Sequence, residues 1–207
     1  MVFLILLTAA NPIIPNVNGW KLLNDKSVVA RTIIPDSAVI DNDYVKVFRN
    51  STVFDNANPD GIDARVIVAL NNLAIESSRG VTSLARGNVA VFKKHESYKI
   101  PGGEYFEVGF KTNHPTLKKP DQWIEPVKNN IVYDDEKFRI FEERLEPGDV
   151  RELHSHAQRV VVRLNEVQLT DPRFYSEGTP GGGIQVPNTV RFAEPMVHVV
   201  KNLSKNF

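Results

Sequence analysis

A degenerate internal repeat of short β-type segments, offset by 93 to 94 residues, constrains this chain more than any other feature. Tyr44-Val-Lys-Val-Phe-Arg49 lines up with Lys137-Phe-Arg-Ile-Phe-Glu142, and Ala64-Arg-Val-Ile-Val-Ala-Leu-Asn71 with Gln158-Arg-Val-Val-Val-Arg-Leu-Asn165. Further on, Gly87-Asn-Val-Ala-Val91 parallels Gly182-Gly-Ile-Gln-Val186, and Phe106 to Lys111 parallels Val197 to Asn202. A period this long means two copies of one unit that share a strand order. The segments are rich in Val, Ile and Phe and bounded by Gly, Pro, Asn or Asp, the pattern of strands. Taken alone, Asp63 to Ile75 also fits an amphipathic helix, because its apolar residues recur at three and four. The repeat decides for strand.

At 207 residues the chain is long enough for one large β domain or two small ones. Lys plus Arg equals Asp plus Glu, 25 of each, and no basic stripe is interleaved with aromatics, so nucleic acid is not expected as a partner. With no cysteine there is neither a disulfide framework nor a thiolate ligand or nucleophile, and any metal must be held by nitrogen and oxygen. The apolar run Met1 to Ala10 is too short to span a bilayer. It reads either as a secretory signal cleaved near Thr8-Ala9-Ala10, without the usual preceding basic segment, or as a buried N-terminal strand. The first implies a secreted or periplasmic protein, the second a cytoplasmic one. Asn50-Ser-Thr52 and Asn202-Leu-Ser204 match the glycosylation pattern, a match common by chance.

Three of the five histidines fall in the second copy. His154 and His156 are two apart, so on a strand both imidazoles share a face. His198, in the strand-like run Met196 to Val200, can supply a third ligand from a neighbouring strand. His95 and His114 stand alone. Ser155 falls on the opposite face from its flanking histidines and is a poor nucleophile. Counted by strict alternation from His156, Gln158 and Val160 share the metal face, while Arg159, Val161 and Arg163 lie on the other unless a bulge intervenes. Gly181-Gly-Gly183 lacks the Lys-Ser or Lys-Thr of a phosphate loop and reads as a turn.

The spacing Gly148, five residues, His154, one residue, His156, together with His198, three residues, Asn202, resembles the two motifs of the cupin superfamily. With the repeat, the likeness runs from about residue 44 to 207 and suggests a bicupin with a degenerate first half. It departs from the family where a glutamate ligand is usual, for Val160 or Val161 stands there. Ala193 and Pro195 replace the second motif's proline and glycine. The resemblance implies an all-β fold of two tandem cupin-type antiparallel β-barrels, each a double-stranded β-helix. The expected division is an N-terminal segment 1–42, a degenerate barrel 43–112, a connector 113–130 and a metal-binding barrel 131–207.

The resemblance also implies one divalent metal ion on His154, His156 and His198, with iron favoured and zinc, nickel, copper or manganese compatible with imidazole. Three neutral ligands leave the metal charge uncompensated and coordination positions open, as in three-histidine iron-dependent dioxygenases of small organic substrates. The alternative is a non-catalytic cupin that binds a small ligand or sugar, its metal structural or vestigial. Gln158 and Arg191 are the candidates for substrate contact, with Arg151 and Arg163 as further charged positions able to hold a carboxylate. The expected partners are a small-molecule ligand and a second copy in a homodimer. On the 94-residue offset, Asp60 and Ile62 fall at the places of His154 and His156, and the C-terminal match sets Glu107 opposite His198. The first copy is therefore expected to lack a metal site.

Overall fold

A computed structural model describes residues 2–7, 38–50, 61–126, 129–170 and 184–204. Thr8 to Ala10, Ser51, Thr52, Asp60 and Gly181 to Gly183 lie outside these. All regular structure among the described residues is strand, and no helix is long and apolar enough to cross a membrane. The chain divides into two compact units, one made of Ile14–Pro115 and the other of Met1–Ile13 with Thr116–Phe207.

The first strand, β1 (Val2–Leu7), belongs to the second of these units. The Ile14–Pro115 unit contains β2 (Ile40–Asp41), β3 (Val45–Arg49), β4 (Ile62–Ala69), β5 (Leu73–Ser77), β6 (Gly80–Leu84), β7 (Val89–Lys93), β8 (Tyr98–Lys99) and β9 (Tyr105–Lys111). Five of these form an antiparallel sheet in the order β2-β3-β9-β4-β7, and β6-β5-β8 form a second. β4 explains the ambiguity of its sequence. Flanked by β9 and β7, it is buried on both faces, so its apolar run is nearly continuous and carries no two-residue alternation. Ile67, Ile75, Phe92, Tyr98 and Tyr105 form much of this unit's core, with the Phe92 and Tyr98 rings stacked 4.1 Å apart.

The other unit continues with β10 (Asn130–Asp134), β11 (Arg139–Arg144), β12 (Val150–His156), β13 (Arg159–Arg163), β14 (Val167–Gln168), β15 (Ile184–Gln185), β16 (Thr189–Ala193) and β17 (Met196–Lys201). Its main antiparallel sheet runs β10-β11-β1-β13-β16, accompanied by the pairs β12-β17 and β14-β15. The fold is thus all-β and antiparallel, and no pairing among the described residues closes a sheet on itself.

The two main sheets match strand for strand. β3 and β11 are equivalent, as are β4 and β13, which are the first two repeat matches. The later two matches do not hold in space. The partner of β13 that corresponds to β7 is β16, at Thr189–Ala193, rather than the segment around Val186. β9 lies between β3 and β4, whereas β17 pairs with β12, so Glu107 is not the counterpart of His198. β1 fills the place of β9: Ile5 sits between Phe141 and Val161 as Glu107 sits between Phe48 and Ile67. The apolar run at the chain's start therefore occupies the middle of a sheet.

Part of the segment between the repeats is fixed along β12. Ser155 N donates to Ile124 O at 2.9 Å and Gln158 N to Lys118 O at 3.0 Å. The Ser155 hydroxyl donates to Gln122 O and accepts from Ile124 N. That commits its one donor and one of its two acceptor sites to holding this segment. Trp123, within the same segment, is 41% exposed and donates its indole N–H to Glu125.

Candidate metal centre

β12 brings two histidines to one face, and a bulge adds an arginine to them. Between Arg151 and His154 the pairing with β17 slips, so Arg151 faces Val200 while His154 faces His198. Three steps on β12 answer two on β17. Glu152 and Leu153 both turn to solvent, and Arg151, His154 and His156 all lie buried. His198 is placed by direct pairing with His154.

The three rings form a cluster with centroids 4.5 to 5.2 Å apart, and one nitrogen from each lies within 4.8 Å of the others. His154 is 2% exposed and His156 1%. His154 Nδ1 lies 2.6 Å from the carbonyl of Glu152. A carbonyl only accepts, so Nδ1 carries the proton and Nε2 keeps its lone pair, the arrangement that orients an imidazole toward a metal. His154 Nε2, His156 Nδ1 and both ring nitrogens of His198 are buried with no hydrogen-bond partner among the described residues. An unsatisfied buried polar group costs about 1–3 kcal/mol, and a bound metal removes that cost. The donor set, all imidazole and shielded from water, fits a divalent transition metal.

Burial, and after it the surrounding positive charge, keeps the rings neutral. Burial depresses His156 far below the usual histidine range, and Arg159, His154, His198 and Arg151 depress it further. His198 is lowered to about 3, first by burial and then by His154, Arg159, Arg151 and Arg191. His154 is lowered chiefly by burial, against the opposing bond to Glu152. Neutral imidazole is the ligand form.

The turn before β12 gives the motif glycine and asparagine structural work. Gly148 has φ +85°, a left-handed conformation that suits a residue without Cβ, and its N–H donates to Asn202 O at 2.9 Å. Asn202 N returns a bond to Asp149 O, and its buried side-chain amide donates to Leu145 O at 2.9 Å. Asn202 thus ties the end of β17 to the start of β12. Asn202→Ala is expected to cost about 1–3 kcal/mol by orphaning the Leu145 carbonyl. Urea unfolding checks this, and a cost below 0.5 kcal/mol would contradict it.

The other candidates sort differently. Gln158, 2% exposed, accepts from Lys118 N at 2.9 Å and donates to Glu194 at 2.9 Å, so its amide is engaged in structure. Arg191 is on β16 opposite Val161. The alternation count from His156 fails at Ala157-Gln158, where the chain leaves β12 and enters a different sheet. Parity resets there, so Arg159, Val161 and Arg163 lie on the cluster side. The register across the sheet shows this. Phe141, Val161 and Arg191 occupy one row, and Phe141 stacks on His156 with centroids 6.3 Å apart.

Two buried charges at the site escaped the sequence reading. Arg159 is 4% exposed, with Nη1 donating to the carbonyls of Ala157 and Glu194. Glu143 is 5% exposed and lies 3.4 Å from Arg151. A signal existed for Arg159, since the repeat aligns it with Arg65. No protein-family model matches this chain, and comparison with curated proteins and with solved structures finds no match.

Proposed function

We propose that the second repeat is a cupin-type mononuclear metal centre, with His154, His156 and His198 holding one divalent ion, iron favoured. We further propose that it acts as a three-histidine dioxygenase of a small organic substrate. The observation that carries this reading is the convergence of buried ring nitrogens that lack any partner. When bound, the metal supplies a Lewis acid with open positions for substrate and oxygen. The protein's part is positional. Glu152 O fixes the tautomer of His154, Phe141 backs His156, and burial shields His154 and His156 from water while His198 is half-buried.

One observation favours the second reading, a non-catalytic cupin that binds a small ligand. Among the described residues no carboxylate joins the histidine cluster, and Glu143, the buried acid of this region, is paired with Arg151. No general base is therefore assigned. Elemental analysis of protein purified anaerobically, with His154→Ala beside it, separates the readings. Near-stoichiometric iron, absent from the variant, with oxygen uptake on addition of small organic acids or diketones, is the expected result. Bound metal without turnover across that panel favours the binding module, and absence of metal from the wild type overturns the centre itself.

A further inference from the structure

Comparison of the two units points to what the second one binds. Arg65 on β4 and Arg159 on β13 are equivalent by repeat and by register, for Arg65 faces Gly109 of β9 as Arg159 faces Leu7 of β1. Both are buried, 3% and 4% exposed. In the first unit the charge has an internal counterion, Glu107, whose carboxylate is 3.8 Å from Arg65 Nε and itself 1% exposed. In the second unit the residue in the place of Glu107 is Ile5. The substitution of β1 for β9 thus removes the carboxylate and keeps the arginine.

Two more arginines occupy the same face. Arg163 is two residues beyond Val161 on β13, and Arg191 is the cross-strand partner of Val161. By alternation and register both lie on the side of Arg159 and Phe141. Among the described residues neither makes an ion pair or side-chain hydrogen bond, and the buried Nε atoms of Arg159 and Arg163 have no partner. Burial and then the neighbouring charge of Arg191 lower Arg159 and Arg163 to about 10, with Glu143 opposing the shift at Arg159, so both stay cationic near neutrality. Glu143 is the nearby buried carboxylate, and it is already paired with Arg151. Arg159 shares the field of Glu143 with Arg151, whereas Arg163, half-buried, and Arg191, exposed, have no carboxylate partner among the described residues. Beside three neutral ligands and a doubly charged metal, this face therefore carries excess positive charge. Positive charge gathered on one face attracts an anionic ligand, most strongly where the face is shielded from water.

We infer that the site takes a small organic polycarboxylate, with one carboxylate on the metal and a second held by Arg191 and Arg163. This inference rests on the metal-centre reading and adds the substrate class to it. A planar guanidinium suits a carboxylate because it donates two parallel N–H bonds. Arg159, its Nη1 bonded to backbone carbonyls, supplies field at the metal position instead of a direct contact.

The test uses the full chain loaded with one equivalent of manganese(II) or zinc(II), titrated calorimetrically with malonate, succinate and malate. The matching monoamides and sulfate serve as controls. The expected result is binding of at least one dicarboxylate that its monoamide fails to match by tenfold or more. Arg191→Met and Arg163→Met should each weaken it tenfold or more at unchanged metal content. Metal retention with no dicarboxylate binding up to 10 mM, or with binding indifferent to both arginine substitutions, overturns the inference and leaves the metal centre standing. If the wild type takes up no metal, the metal-centre reading fails. Arginine-dependent dicarboxylate binding to that metal-free protein would still support the carboxylate site.

Discussion

His156→Leu is expected to raise the stability of the metal-free protein by about 1–3 kcal/mol while abolishing its stabilisation by metal. The two effects have one origin. His156 is 1% exposed, its Nδ1 lacks a partner among the described residues, and Phe141 covers one face of its ring. In a metal-free fold that nitrogen is a buried polar group without compensation, and leucine fills the space without one. Metal reverses the order. A ligand at a thousandfold its Kd stabilises a folded state by about 4 kcal/mol, and losing one of three ligands removes nearly all of that. The wild type is thus the weaker protein in chelator and the stronger in metal. Thermal melts of both proteins in each condition read this directly. A leucine variant less stable than wild type in chelator would mean the histidine is a satisfied core residue. The pH dependence carries the same sign. Because the folded protein resists protonating His156 and the unfolded chain accepts a proton near 6.5, metal-free stability falls as pH drops below about 6.5. The leucine variant should show a shallower fall, by up to about 1.4 kcal/mol per pH unit.

The histidines were legible in the sequence because His-x-His on a strand fixes a shared face by geometry alone, and pairing then needed only one more strand. Arg191, Arg151 and Arg163 were legible as charged positions of the second copy, but the facing of Arg159 and Arg163 was not. Their facing depends on parity carried through Ala157-Gln158, and a chain that turns from one sheet into another at such a corner resets it. The bulge between Arg151 and His154 resets it once more. The repeat had the same mixed outcome. The match of β4 with β13 held because a strand buried on both faces keeps its apolar run, and β3 and β11 aligned at nearly the same offset. The matches at β7 and β9 slid, because similar alternation fits several partners and only pairing distinguishes them. The exchange of β9 for β1 was invisible to a search at constant offset, since it brings in a segment from the other end of the chain.

That exchange leads to the largest expected effect, the loss of the metal-binding unit when residues 1–10 are removed. β1 is paired over Val2–Leu7 with β11 and over Phe3–Leu7 with β13, so it is an interior strand hydrogen-bonded on both sides. Without it β11 and β13 present two unpaired edges, and the row that joins Phe141 to Val161 is broken. A backbone hydrogen bond contributes about 1 kcal/mol net. Losing the ladders on both sides is then comparable with the whole stability of a domain, about 5–15 kcal/mol. The exposed edges also invite intermolecular pairing. A chain beginning at Asn11 should accumulate in the insoluble fraction or, where soluble, bind no metal and be digested by protease within residues 129–204. The Ile14–Pro115 unit has its own paired sheet and core, so fragments retaining residues 61–111 should persist longest. Ile5→Pro, which removes one interior donor and keeps the length, should destabilise in the same direction by a smaller amount. Cleavage of a leader after Ala10 and formation of this sheet are mutually exclusive, so the mass of the mature chain reports on both. A soluble chain lacking residues 1–10 that still binds one metal would show that β1 is dispensable to the site.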